Sequence, residues 1–168
     1  NTPFCSVFPL HRNTMALQAD FFIQQSYQSE QLSRLKSVAK QLVVLNLNQM
    51  PVSDKDLEVI GEFHRLERLN LNFSKINGSG FQSWKNFVHL KSVSLTGTLV
   101  TAENLKPLME MPALKELYLA NTPIDETQRK KLAAQYPKVR LVVNDFSDNQ
   151  TLKLSAPAII ADGLVPKG

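Results

Sequence analysis

Three histidines, His11, His64 and His89, and a single cysteine, Cys5, are the side chains of this 168-residue chain best suited to metal ligation or nucleophilic attack. A metal site needs several ligands converging on one point, and no HxH or HxxxH pair exists to place two imidazoles on one strand or helix face. One cysteine forms no internal disulfide and completes no cysteine-based metal motif. Cys5 also has no base beside it in sequence, and no GxSxG elbow presents a serine. The glycine cluster Asn77-Gly78-Ser79-Gly80 lacks the Lys-Ser/Thr ending with which a phosphate loop holds its nucleotide. The expectation is a protein that is not an enzyme, with no catalytic residues, no metal and no cofactor.

Net charge is +4, from 19 basic against 15 acidic residues, which by itself permits nucleic acid as a partner. Such binding needs the cations gathered on one stripe. The densest run, Arg129-Lys130-Lys131 with Lys138 and Arg140 beyond, sits beside Asp125 and Glu126 and reads as a solvated helix face. No nucleic-acid partner is expected. Hydrophobic residues make up 43% and charged residues 20%, apolar enough for a packed core. No stretch reaches the roughly eighteen apolar residues of a membrane span. The opening NTPFCSVFPLHRN lacks the basic-then-apolar order of a signal peptide, which leaves a cytosolic protein or a piece of a longer exported chain.

What organises the sequence is a repeat. Leu42-Val-Val-Leu45-Asn-Leu47 returns as Leu66-Glu-Arg-Leu69-Asn-Leu71, Leu90-Lys-Ser-Val93-Ser-Leu95 and Leu114-Lys-Glu-Leu117-Tyr-Leu119, each start 24 residues after the last. Leu141 and Val143 hold the fourth and sixth positions of a fifth strand. Position 9 carries Ser74, Thr98 and Thr122, with Met50 the exception, and position 11 carries Val52, Ile76, Val100 and Ile124. Position 12 reads Ser53, Asn77, Thr101 and Asp125, residue types that cap a helix N-terminus. Behind them Leu57/Ile60, Phe81/Trp84 and Leu105/Leu108, then Phe63, Phe87 and Met111, give one apolar helix side. The unit is strand, turn, capped helix, return, and units must stack because none can bury its own leucine row.

The ends depart from the pattern. Asp20-Phe21-Phe22-Ile23 reads as a strand in the same register, followed by a helix over Gln31–Ala39 that is one residue out of step. Arg129 and Gln135 replace apolar residues of the fourth unit, so Asp125–Tyr136 reads as a longer, more amphipathic closing helix stopped by Pro137. The expected organisation is an N-terminal cap with a degenerate repeat over 1–41, a repeat array over 42–143 with four full units and a closing strand, and a C-terminal extension or linker over 144–168. Leu152, Leu154, Ile159 and Ile160 give that extension the means to lie partly against the array.

Between the buried leucines, alternate strand residues face outward. Position 3 offers Val44, Arg68, Ser92, Glu116 and Arg140. Position 5 offers Phe22, Asn46, Asn70, Ser94, Tyr118 and Val142, and position 7 offers Gln24, Asn48, Asn72, Thr96, Ala120 and Asn144. Carboxamides donate and accept together, and a tyrosine supplies a flat apolar platform, so such a face suits a protein or a glycan. The candidate ligand-binding residues are Asn46, Asn70, Asn72, Arg68, Ser94, Glu116 and Tyr118. The same amides can equally bond along their own ladder, as a face with no partner requires. Phe73, at the rim, is expected to pack against Gly97.

The unit LxxLxLxx(T/S)x(I/V) resembles the leucine-rich repeat, whose period is 20–29 residues. The resemblance covers 42–143 and implies an α/β fold: a right-handed solenoid with a parallel concave sheet and short convex helices. The cysteine-free 24-residue unit is also similar to the bacterial repeats of extracytoplasmic Bacteroidetes and planctomycete proteins. Met15–Phe22 with Lys40–Leu47, and Leu114–Ile124 with Tyr136–Val139, resemble the opening and closing units of such arrays in membrane proteins that carry c-type cytochrome domains. That likeness implies a periplasmic or otherwise extracytoplasmic module of a larger, membrane-anchored protein, with any haem elsewhere, since no CxxCH occurs here. Met50 and the Asn77–Gly80 start depart from the family pattern. The implied role is an interaction module that offers its concave face to a protein or glycan, the alternative being a structural spacer.

Overall fold

Leu45, Leu69, Val93, Leu117 and Leu141 stand opposite one another on five successive parallel strands of the computed structural model, which describes residues 4–84 and 87–143. The fold is mixed α/β. Strands β1 (Cys5–Pro9) and β2 (Leu17–Phe21) lead into helix α1 (Ser29–Arg34) and β3 (Leu42–Asn46), then α2 (Asp54–Ile60), β4 (Arg68–Asn70) and β5 (Ser92–Ser94). After these come α3 (Lys106–Met109), β6 (Glu116–Tyr118), α4 (Glu126–Gln135) and β7 (Arg140–Val142). Among the described residues the seven strands make one sheet, ordered β1 to β7 as in the sequence.

The 24-residue spacing read from the leucines is the register of the sheet from β3 to β7, where Val44 meets Arg68, Arg68 meets Ser92, Ser92 meets Glu116 and Glu116 meets Arg140. From β3 to β6 the leucine rows lie buried against Leu57, Ile60, Phe81, Leu105 and Leu108 of the return segments, whereas at the last strand Leu141 is half-buried and Val143, expected in the same rows, is exposed because no further unit covers them among the described residues. Burial of this apolar surface is the main drive for the stack. Trp84 shows how the return side knits together: its indole N–H donates to the Leu57 carbonyl at 2.6 Å, and its ring lies 4.8 Å from those of Phe81 and Phe87.

After each of β3 to β6 the chain turns through a left-handed residue: Gln49, Phe73, Gly97 and Asn121 have φ of 61°, 58°, 69° and 54°. That conformation is costly for any residue with a Cβ. Hydrogen bonds offset it. The amides of Gln49, Phe73 and Gly97 donate to the carbonyls of Asn72, Thr96 and Ala120 one strand on. The position-9 hydroxyls of Ser74, Thr98 and Thr122 donate back to the carbonyls of Leu71, Leu95 and Leu119 at 2.7, 2.6 and 2.8 Å. Met50 has no hydroxyl to offer and lies buried instead. Phe73 packs on Gly97 as expected: a Cβ there would sit 2.4 Å from the phenyl Cδ1.

The uniform capped helix does not hold in every unit. Asp125 and Gln128 form a reciprocal capping box at α4, and at α2 the Ser53 amide and hydroxyl both donate to the Asp56 carboxylate. In the second unit the return is only a 3-10 turn, Ser79–Ser83, and Asn77 is not a helix cap: its Oδ1 accepts from the Ser79 amide two residues on. The reason lies next door. The Asp54 carboxylate takes the amides of Asn77, Gly78 and Gly80, and a Cβ on Gly80 would lie 2.5 Å from the Asp54 carbonyl oxygen. In the third unit Thr101 accepts a long 3.3 Å bond from Asn104, and helix geometry starts only at Lys106, with Pro107 fixed in its first turn.

Both ends correct the sequence reading. The strand before the array is Leu17–Phe21, and Asp20 stands opposite Asn46, a spacing of 26 residues; Phe22 therefore leaves the rung assigned to it. The register shifts by one residue within the strand, Leu17 standing opposite Leu42 and Gln18 opposite Val44. The shift places Ala19, with no exposed surface, in the leucine row, and lets β1 pair antiparallel on the outer edge, a strand the repeat pattern gave no hint of. The helix expected over Gln31–Ala39 is two pieces, α1 and a 3-10 turn Leu35–Val38. Helix α4 closes the far end but buries only Leu132, so it is solvated rather than amphipathic. Asn144 and the extension 144–168 lie outside the described residues. Among the described residues no helix is long and apolar enough to cross a membrane.

The open face of the sheet as candidate functional site

The strand residues that alternate with the buried leucines form two rows across the sheet. One runs Phe8, Gln18, Val44, Arg68, Ser92, Glu116, Arg140, and the other Ser6, Asp20, Asn46, Asn70, Ser94, Tyr118, Val142. Five of the seven candidate residues, Asn46, Arg68, Asn70, Glu116 and Tyr118, remain partly accessible here. Asn70 and Tyr118 are two strands apart, a Cα separation of about 10 Å at the usual spacing of parallel strands.

The other two are spent inside the structure. Asn72 is 4% and Ser94 2% exposed; the Ser94 hydroxyl donates to Asn72 Oδ1 at 2.6 Å, and the Thr96 amide donates to the same oxygen at 2.9 Å. They tie β4 to β5 and offer a ligand nothing. Position 7 points outward only in the idealised pattern; here the chain is already bending into the left-handed corner that follows.

Local bonds also claim oxygens of the accessible residues. Asn46 Oδ1 accepts from the Asn48 amide and Asn70 Oδ1 from the Asn72 amide, at 3.1 and 3.0 Å. Glu116 is held from two sides: the Tyr118 hydroxyl donates to Oε2 at 3.1 Å, and Arg140 donates to Oε1. Partial burial, with the Glu116 charge second, raises the Tyr118 phenol above its ordinary value, while the bond to Glu116 raises the Arg140 guanidinium. Arg140 is fully exposed, so this pair contributes little to stability. The Arg68 side chain makes no hydrogen bond or ion pair among the described residues.

Register slip and the extra strand add residues that the repeat alone did not select. Asp20 takes the rung given to Phe22, and its Oδ1 accepts from Gln18 Nε2 at 2.8 Å. Phe8, 40% exposed, ends the first row. The inward-outward alternation of Cys5, Ser6, Val7 and Phe8 was the available signal, but four residues are too few to separate a strand from a loop.

Away from the face, little converges. Among the described residues no group of three or more His, Cys, Asp or Glu side chains could hold a metal. His64 meets the Phe87 ring edge-on and His89 meets Arg65. Cys5 is buried, and that burial pushes its thiol up to about 11, away from the reactive thiolate. A cleft of about 200 Å³ lies between β1 and the α1 region, lined by Phe4, Cys5, Val7, Leu35 and Val38. A second, of about 290 Å³, lies between Met109–Leu114 and Gln135–Val139. Neither includes a residue of the two rows. No protein-family model matches this sequence, and no curated protein matches it.

Proposed function

We propose that this chain is a non-catalytic interaction module of leucine-rich-repeat type, a right-handed solenoid whose concave sheet takes a protein or glycan partner. The observation that carries the reading is the accessible group Asn46, Arg68, Asn70 and Tyr118 on three strands held in one unbroken 24-residue register. Rigid strands position such groups better than loops do. The module belongs to a larger exported, membrane-anchored protein and works in the periplasm or another extracytoplasmic space, the alternative being the cytoplasm. Its support is the likeness of the opening and closing units to bacterial arrays of that kind.

A second reading, a structural spacer between neighbouring domains, is favoured by the internal use of Asn72, Ser94 and the Asn46 and Asn70 oxygens. Peptide and glycan arrays probed with the purified chain decide between the two. A hit that is lost on joint replacement of Asn70 and Tyr118 by alanine, at unchanged melting temperature, supports the module. No binding at high concentration supports the spacer.

A further inference from the structure

The hydrogen-bonding groups of the open face are unevenly spent. Its acceptors are largely occupied: Asn46, Asn70 and Asn72 Oδ1, Asp20 Oδ1 and both oxygens of Glu116 each accept from a group of the chain itself. Its donors are not. The Arg68 guanidinium and the Nδ2 amino groups of Asn46 and Asn70 donate to nothing among the described residues. A ligand that fits this face must therefore bring acceptors, and opposite Arg68 it should bring a charged one.

We propose that the face around Arg68 binds a side-chain carboxylate presented by an acidic peptide segment of a protein partner, with the Asn46 and Asn70 amino groups donating to carbonyls of that peptide. The guanidinium forks onto a carboxylate with two parallel bonds, and partial burial between Val44 and Ser92 leaves it less screened than a surface lysine. A peptide fits the charge count better than a polyanion does. Among the described residues of the two rows Arg140 is committed to Glu116 and Arg68 is the one unpaired cation, with the Asp20 carboxylate two strands away, so a single carboxylate is accommodated where the row of anions of a uronate chain or a nucleic acid would be repelled. Asn70 lies two residues along Arg68's own strand, about 7 Å away, and Asn46 stands opposite Asn70, about 5 Å from it and about 8 Å from Arg68, on the order of the spacing of alternate carbonyls along an extended chain.

This assignment rests on the interaction-module reading and is tested separately from it. Fluorescence anisotropy with acetylated, amidated hexapeptides that carry one central Glu, and with their Gln twins, measures the preference directly. The native chain should bind the Glu peptides about tenfold more tightly, the size of a charge-assisted bond. Arg68→Gln should bring the two series to parity, and Arg68→Lys, which keeps the charge but loses the fork, should fall between; thermal melts confirm that both variants fold. Equal binding of Glu and Gln peptides, or a preference that survives Arg68→Gln, overturns the carboxylate assignment. If binding is then still lost on replacing Asn70 and Tyr118, the module reading stands. Failure of every peptide and glycan to bind the face overturns both.

Discussion

From β3 to β7 the molecule repeats one solution; between β1 and β3 it improvises. In the array each rung is 24 residues from the next, each corner is left-handed, and position-9 hydroxyls close the turns in three of the four units. At the cap the spacing becomes 26, the register shifts within β2, and an antiparallel strand covers the edge. Interior units are constrained on both sides, so a deviation in one propagates into its neighbours. A terminal unit faces one neighbour only. It is free to change register, and must, because it has to end the stack without leaving a leucine row in water.

That contrast can be broken or sharpened experimentally. The largest effect is expected in the array: Leu71→Ala, at a site with no exposed surface, should lower stability by about 2–5 kcal/mol in urea titrations. A midpoint unchanged within error would refute the assigned register. Next comes Gly97→Ala, which sets a methyl 2.4 Å from the Phe73 ring at φ 69° and should cost about 1–3 kcal/mol. Combined with Phe73→Ala, part of that loss should return; a strictly additive double variant would dissociate the two residues. Thr98→Val removes the hydroxyl that reaches the Leu95 carbonyl and should cost about 1 kcal/mol. A midpoint unchanged within error in Thr98→Val would show that the hydroxyl is unimportant.

Variants and pH changes at the cap should matter less. Cys5 favours the thiol in the folded state, so the stability tied to it is whole below pH 9.0, its ordinary value, and is lost as pH rises to about 11. A thiol reagent should accordingly react with the native chain far more slowly at pH 8 than with the urea-unfolded chain; equal rates would contradict the burial. The smallest change is expected for Tyr27→Phe. Tyr27 packs edge-on against Phe21, and its hydroxyl, like Asp56 Oδ1, is buried with no hydrogen-bond partner among the described residues. Burial foremost, then the Asp56 charge, raises its phenol well above the ordinary value. Removing that hydroxyl should leave thermal stability within about 0.5 kcal/mol or raise it, and a larger loss would mean that the hydroxyl is bonded in solution.

How far the sequence carried the structure depended on whether a feature recurred. Leu45, Leu69, Val93, Leu117 and Leu141 were legible because one period fits all of them, and the partnership of Phe73 with Gly97 because a bulky and an empty position fell on adjacent corners. Asn77 misled because capping is a property of geometry as well as residue type: the Asp54 carboxylate, 23 residues earlier, had already claimed the amides that a helix would have opened with. Phe22 misled because nothing in a terminal strand reports that its period has changed. On the face, residue types marked Arg68 and Asn70 as candidates, but only coordinates separate them from Asn72 and Ser94, whose polar atoms already bond each other.

A strand order identical to the sequence order has a kinetic side. Every pairing in the parallel stretch closes a loop of nearly the same length, 24 residues in the array, so each strand added costs about the same closure entropy as the one before it. Pairing of any two neighbouring strands from β2 to β7 therefore asks for one closure of this length and no longer one.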